Sequence, residues 1–185
     1  LAAHVAAALR RDPRGTGCGL TDATTGLPNG AFLALEVAQR RHEPLPRGSR
    51  FGLIALRVLG VEQIGATAAE RLVLHVARRL AGGAAQEETL VRAGQDLFVL
   101  LTPSDAAGAL VARWNELSRT VLAAPLQLDD GRSLSVRLAA AHASRPLDGD
   151  DLDRLWEVLN ERLALAETDP RSVVPFRRHA GRAPA

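Results

Sequence analysis

Between positions 89 and 102 the chain carries two strand-forming runs separated by only four residues. The runs are Thr89-Leu90-Val91-Arg92 and Leu97-Phe98-Val99-Leu100-Leu101-Thr102, and the break is Ala93-Gly94-Gln95-Asp96. A break that short, with glycine in it, folds the flanking runs back on each other as an antiparallel hairpin. A third apolar run at 51–59 reads as a buried central strand.

Around these strands the pattern switches to helical spacing. Leu1, Val5, Ala8 and Leu9 suit a helix over 1–11, which the Asp12-Pro13 to Gly17 stretch breaks. That helix reads equally well as the end of a stalk or as a loosely packed terminus. Asn29 can cap a helix over 30–41 with Phe32, Leu33 and Val37 inward, ended by Pro44 and Pro46. Leu72, Val73, Val76 and Leu80 make one face of a helix over 67–80, closed by Gly82-Gly83. Ser104 is expected to cap a helix reaching about 123 that buries Leu110, Trp114 and Leu117.

Asp129-Asp130-Gly131-Arg132 predicts a second hairpin turn, leading into an alternating strand with Leu134, Val136 and Leu138. Asp150 or Asp151 starts a last long helix striped by Leu152, Leu155, Trp156, Leu159 and Leu163. Pro170 stops it, and 172–176 reads as a short final strand. Hairpins interleaved with helices predict an α+β fold: one mainly antiparallel sheet with helices packed on it.

Composition narrows the function classes. The chain has 185 residues, enough for one domain with a short flanking segment. It has no Met, position 1 included, which reads as a piece of a longer chain or a processed product. Every one of its Lys+Arg residues is Arg, a bias that suits a GC-rich bacterial genome. The net charge is only +2, and the one basic cluster is Arg177-Arg178-His179 with Arg182. Without a concentrated basic face and stacking aromatics, a nucleic-acid partner is not expected. A single Cys18 excludes an internal disulfide and suits a reduced, cytoplasmic setting. No apolar run is long enough to span a membrane, so no membrane contact is expected from this segment, although a membrane anchor elsewhere in the longer protein stays open. His4, His42, His75 and His142 are scattered, with His75 on the polar side of its helix, and none suggests zinc.

Two motifs carry a family resemblance. Gly94-Gln95-Asp96-Leu97-Phe98 resembles the signature hairpin of the GGDEF family, the diguanylate cyclases, with the second glycine and the glutamate replaced. Asp22-Ala23-Thr24-Thr25-Gly26-Leu27-Pro28-Asn29 is similar to the Asp-x-Leu-Thr-Gly-Leu-Pro-Asn segment that opens that family's domain, with Gly30 where arginine is usual. Positions 69–80 and 134–141 resemble the family's intervening helix and later strand, and the order holds from about 22 to 174. The resemblance implies a nucleotide-cyclase-like palm with a ferredoxin-like core.

It also implies a site. Making cyclic di-GMP from two GTP molecules is phosphoryl transfer, and it uses metal ions bound by carboxylates. Matching Ile64 to the family's Ile-Asn-Asp puts Arg57 at the metal-binding aspartate that opens the family's Asp-x-Asp-x-Phe-Lys segment, Leu59 at that segment's second aspartate and Gly65 at the guanine-reading asparagine. No Asp or Glu occurs from 50 to 61. A guanidinium there would oppose Mg²⁺. Asp96 is expected to remain as a turn residue, with Leu59, Val61 and Leu97 lining the emptied corner. Glu70 maps to the family's guanine-contacting aspartate and keeps a carboxylate able to accept from a guanine edge. The regulatory Arg-x-x-Asp site falls on Ala85-Gln86-Glu87-Glu88, which has no arginine.

These residues predict a degenerate GGDEF domain over 19–176, after an N-terminal helix and linker over 1–18 and before a basic tail over 177–185. The domain is expected to lack the metal-binding carboxylates, to be no enzyme, and to need no metal or other cofactor. It would serve as a regulatory or protein-interaction module of a bacterial signalling protein. Its partners would be another protein or other domains of the same longer chain, with a homodimer left open. The alternative is a sensor that keeps weak guanine nucleotide or cyclic di-GMP binding without turnover.

Overall fold

A computed structural model describes residues 19–42, 50–129, 131 and 133–168. The expected helix over 1–11, the strand over 172–176, the basic tail, and the ends of the proposed domain lie outside them. So do Cys18, Pro44, Pro46 and Asp130.

Four strands form the main sheet: β1 (Phe51–Val58), β2 (Thr89–Arg92), β3 (Leu97–Thr102) and β6 (Leu138–Arg145), in the order β2-β3-β1-β6. Every neighbouring pair is antiparallel, and the short break at 93–96 requires it of β2 and β3. Two two-residue strands, β4 (Leu126–Gln127) and β5 (Ser133–Leu134), make a separate small hairpin. The run at 134–141 is therefore not one strand. Residues 135–137 carry the chain from the small hairpin to the main sheet, and Val136 is buried as it crosses.

Period-two alternation sorts the sheet residues onto two faces. Leu53, Ala55, Val91, Leu97, Val99, Leu101, Ala139, Ala141 and Ala143 pack with Leu33 and Val37 of α1 (Gly30–His42) and with Leu155, Leu159 and Leu163 of α4 (Leu152–Thr168). Ile54, Leu56, Val58, Leu90, Phe98, Leu100 and Leu138 pack with α2 (Ala66–Gly83) and α3 (Ala107–Leu122) on the other side. Three alanines in a row on β6 leave room for α4 to lie close against that edge of the sheet.

Local chemistry sets the helix starts. The Asn29 carboxamide oxygen accepts from the amides of Ala31 and Phe32 at 2.9 and 3.2 Å, capping α1 as expected. Asp151, rather than Asp150, caps α4 by accepting from Arg154 N at 2.9 Å. Ser104 does not cap α3, which begins only at Ala107. The loop at 104 crosses tightly over β1: a Cβ on Gly52 would strike Leu110 Cδ2 and lie 2.5 Å from the Ser104 carbonyl oxygen. That close approach uses up the residues that would otherwise start the helix. His75, expected on the polar side of α2, has Nε2 3.0 Å from the Ala124 carbonyl oxygen.

Candidate functional site

The signature turn is clamped by one arginine. Arg92, the last residue of β2, donates from Nε to the Gly94 carbonyl at 3.2 Å and from Nη2 to the Gln95 carbonyl at 2.8 Å. Its Nη1 donates to Asp22 Oδ1 at 2.8 Å, and the same oxygen accepts from the Thr25 amide and hydroxyl at 2.8 and 2.7 Å. Burial raises the Asp22 carboxyl, but the hydrogen bonds from Thr25 and Arg92 outweigh it and hold the group below its ordinary value. Gly26, at φ 71°, closes the Asp22 turn in a conformation that favours glycine. The opening motif and the hairpin, 70 residues apart in sequence at Asp22 and Arg92, are thus one hydrogen-bonded unit.

Arg57 stands beside this unit. It pairs in register with Leu97 on β3 and with Ala139 on β6. Val58 N donates to the Asp96 carbonyl at 2.8 Å, seating the turn on the end of β1. The guanidinium lies between two carboxylates: Nε is 3.8 Å from Asp96 Oδ2, and Nη1 donates to Glu167 Oε1 at 2.5 Å. Arg57 and Glu167 are each 29% exposed and Asp96 35%, so the trio is half-buried.

The corner therefore differs from the sequence expectation. Asp96 is not merely a turn residue, and Glu167, in the last turn of α4, supplies a second carboxylate that the motif comparison missed. Its position was legible in principle, because it continues the four-residue stripe Leu155, Leu159, Leu163. As placed, the guanidinium fills the space between the two carboxylates, and this donor set does not fit a resident Mg²⁺. Among the described residues no group of three or more His, Cys, Asp or Glu could hold a metal ion. Of the expected apolar lining, Leu97 and Leu59 pack on the α1 and α4 side, whereas Val61 packs on the opposite side with α2 and α3. Gly94 and Gln95 are exposed, and Phe98 is buried under α2 and α3.

Glu70 is exposed on α2 and, among the described residues, makes no hydrogen bond or ion pair. Ala85 to Glu88 is not a free loop. Glu88, with a side chain only 5% exposed, accepts from Arg113 Nε and Nη2 at 2.8 and 2.6 Å and from the Ala85 amide at 2.8 Å. Arg113 also donates to the Gly83 carbonyl and to Glu116. Burial raises the Glu88 carboxyl, yet the Arg113 and Ala85 hydrogen bonds bring it below its ordinary value. No sequence motif pointed to Arg113.

A family model described as the diguanylate cyclase GGDEF domain matches residues 20–172. Solved structures share the fold. Diguanylate cyclase SiaD of Pseudomonas aeruginosa, in complex with its activator SiaC, aligns at TM-score 0.73 and 19% identity over 80% of this chain and 58% of that one. The chain thus spans little more than half of that relative. The GGDEF domain of DgcB from Caulobacter crescentus, in complex with c-di-GMP, aligns at TM-score 0.71 and 19% identity, over 84% and 93% of the two chains. A sensory box/GGDEF family protein of Caulobacter crescentus CB15 aligns at TM-score 0.70 and 24% identity, over 80% and 97%. No curated protein matches the chain.

The expectation that the chain is no enzyme is corrected by these matches, because the family model spanning it is that of a diguanylate cyclase domain. The fold does bring one more carboxylate to this corner than β1 and the hairpin supply, Glu167 from α4, and it is paired with Arg57.

Proposed function

We propose, on the premise that this chain belongs to the GGDEF family of diguanylate cyclase domains, that it acts as a regulatory or protein-interaction module of a signalling protein. The observation that carries this reading is the Arg57 guanidinium seated between Asp96 and Glu167. It makes the signature corner a structural joint between sheet, hairpin and final helix. A joint of that kind lets a change at one end of the domain reach the hairpin. Regulation of a GGDEF protein by a bound partner has a precedent in the SiaD complex with its activator. The partner expected here is another protein or another domain of the same longer chain. No described helix is long and apolar enough to cross a membrane.

The competing reading is a sensor of guanine nucleotides or cyclic di-GMP, and the exposed Glu70 carboxylate on α2 is the observation in its favour. Against it stands the 85–88 segment, where Glu88 is already committed to Arg113 and there is no arginine to meet a phosphate. Calorimetric titration separates the two. The module reading predicts no saturable heat with cyclic di-GMP at low micromolar concentration. A one-site isotherm there would put the sensor reading first.

A further inference from the structure

Helix α4 ends on a carboxylate where helices disfavour one. Its last turn contains Glu167 and no basic residue. Partial negative charge gathers at a helix C-terminus, so a glutamate there works against the turn that carries it. Glu167 is nonetheless the next step of a buried stripe, Leu155, Leu159 and Leu163, set four residues apart. On β1 a matching row of Phe51, Leu53 and Ala55 is fully buried on the same side of the sheet, and its next position is Arg57. The two apolar rows run out together into one ion pair at 2.5 Å. On its other flank the same guanidinium faces Asp96, the residue whose carbonyl pins the hairpin turn to β1 through Val58 N.

We infer that Arg57 is a latch that couples the last turn of α4 to the signature hairpin, so that loosening either one loosens the other. With the guanidinium in place, the Glu167 charge and the helix dipole are both neutralised and the turn holds. With it withdrawn, an unpaired carboxylate sits at the helix C-terminus and the turn opens. Coupling of this kind is reciprocal: whatever pulls on the end of α4 is felt at the hairpin, and whatever engages the hairpin is felt at the end of α4. The inference does not rest on the module reading, because the latch is a property of the corner whatever the domain binds.

Amide hydrogen exchange followed by NMR on the 185-residue chain tests it. Three variants are compared: Arg57→Gln, Glu167→Gln and the double variant. Val58 N reports the seating of the hairpin, and the amides of 165–168 report the last turn of α4. Arg57→Gln is expected to speed exchange at both places by about threefold to tenfold, as a half-buried charge pair with a dipole contribution would. Glu167→Gln should loosen Val58 while α4 keeps its last turn, because a neutral amide does not oppose the dipole. The double variant should restore the α4 amides and leave Val58 loose. The latch is refuted if Arg57→Gln leaves the α4 amides unchanged, if Glu167→Gln leaves Val58 unchanged, or if the double variant fails to restore α4. Unchanged protection at Ile54 and Leu100, deep in the sheet, shows that each variant is folded.

Discussion

Phe98 and Gln95 sit three residues apart in the same motif and do opposite things. Phe98 is fully buried among Ile54, Leu56, Leu72 and Leu138, and its ring holds β3 against α2 and α3. Phe98→Ala is expected to cost about 3–5 kcal/mol in denaturant melts, the usual loss for an aromatic removed from a packed core. Gln95 is exposed at the tip of the turn, where only its backbone carbonyl is used, by Arg92. Gln95→Gly should stay within about 0.5 kcal/mol of the parent. A Phe98→Ala domain as stable as the parent would mean that the hairpin register is wrong. At this scale the sequence was legible wherever a residue is defined by its own strand. It was silent where a residue is defined by its partner: Glu88 has the composition of a surface turn and becomes buried only because Arg113 comes to it from α3.

Among the elements, β6 and the loop after it hold a histidine with a perturbed environment. Arg162 of α4 donates to the His142 carbonyl and to Asp148 Oδ1, both at 2.6 Å. Asp148 in turn accepts from Ser144 N at 2.9 Å. His142 Nδ1 is buried and has no hydrogen-bond partner. Burial first, and the nearby Arg162 second, push the imidazole below its ordinary value of 6.5, with Asp148 opposing. A depressed pKa means the unfolded chain takes up the proton more readily, so stability is present above 6.5 and is lost as pH falls toward the folded value. Asp22, Glu88 and Asp148 are also depressed, and their contributions are lost only at lower pH, beneath their ordinary values of 3.8, 4.5 and 3.8. Melts across pH should therefore show two declines, the first beginning just below 6.5. His142→Gln should abolish that first decline and spare the second. A first decline that persists in the variant would remove His142 from the account.

Helices and hairpins were readable at this scale because burial on one face leaves a period in the sequence. The exceptions have local causes. Residues 134–138 alternate like a single strand, but Val136 is buried during a crossing between two sheets, and alternation cannot tell a crossing from a strand. Ser104 looks like a cap, but the Gly52 approach claims its stretch of backbone.

For the whole molecule, the antiparallel sheet with helices on both faces was legible from element order, and family membership from two motifs. The corner was legible only in half. Arg57 and Asp96 could be placed from family segments matched on β1 and the hairpin, whereas Glu167 lies 110 residues from Arg57 and joins it only through the packing of α4 on the sheet. Counting carboxylates along two segments therefore misjudged what the fold assembles. The module reading draws on that assembled corner, and its partner is expected within the same protein or bound to it. The direct measurement is sedimentation velocity on this domain mixed with the remaining domains of its own full-length protein, produced separately, with parallel runs containing GTP or cyclic di-GMP. The account predicts a saturable complex that forms without either nucleotide and sediments the same in their presence. Components that sediment independently, while the domain alone binds either nucleotide saturably, would contradict it.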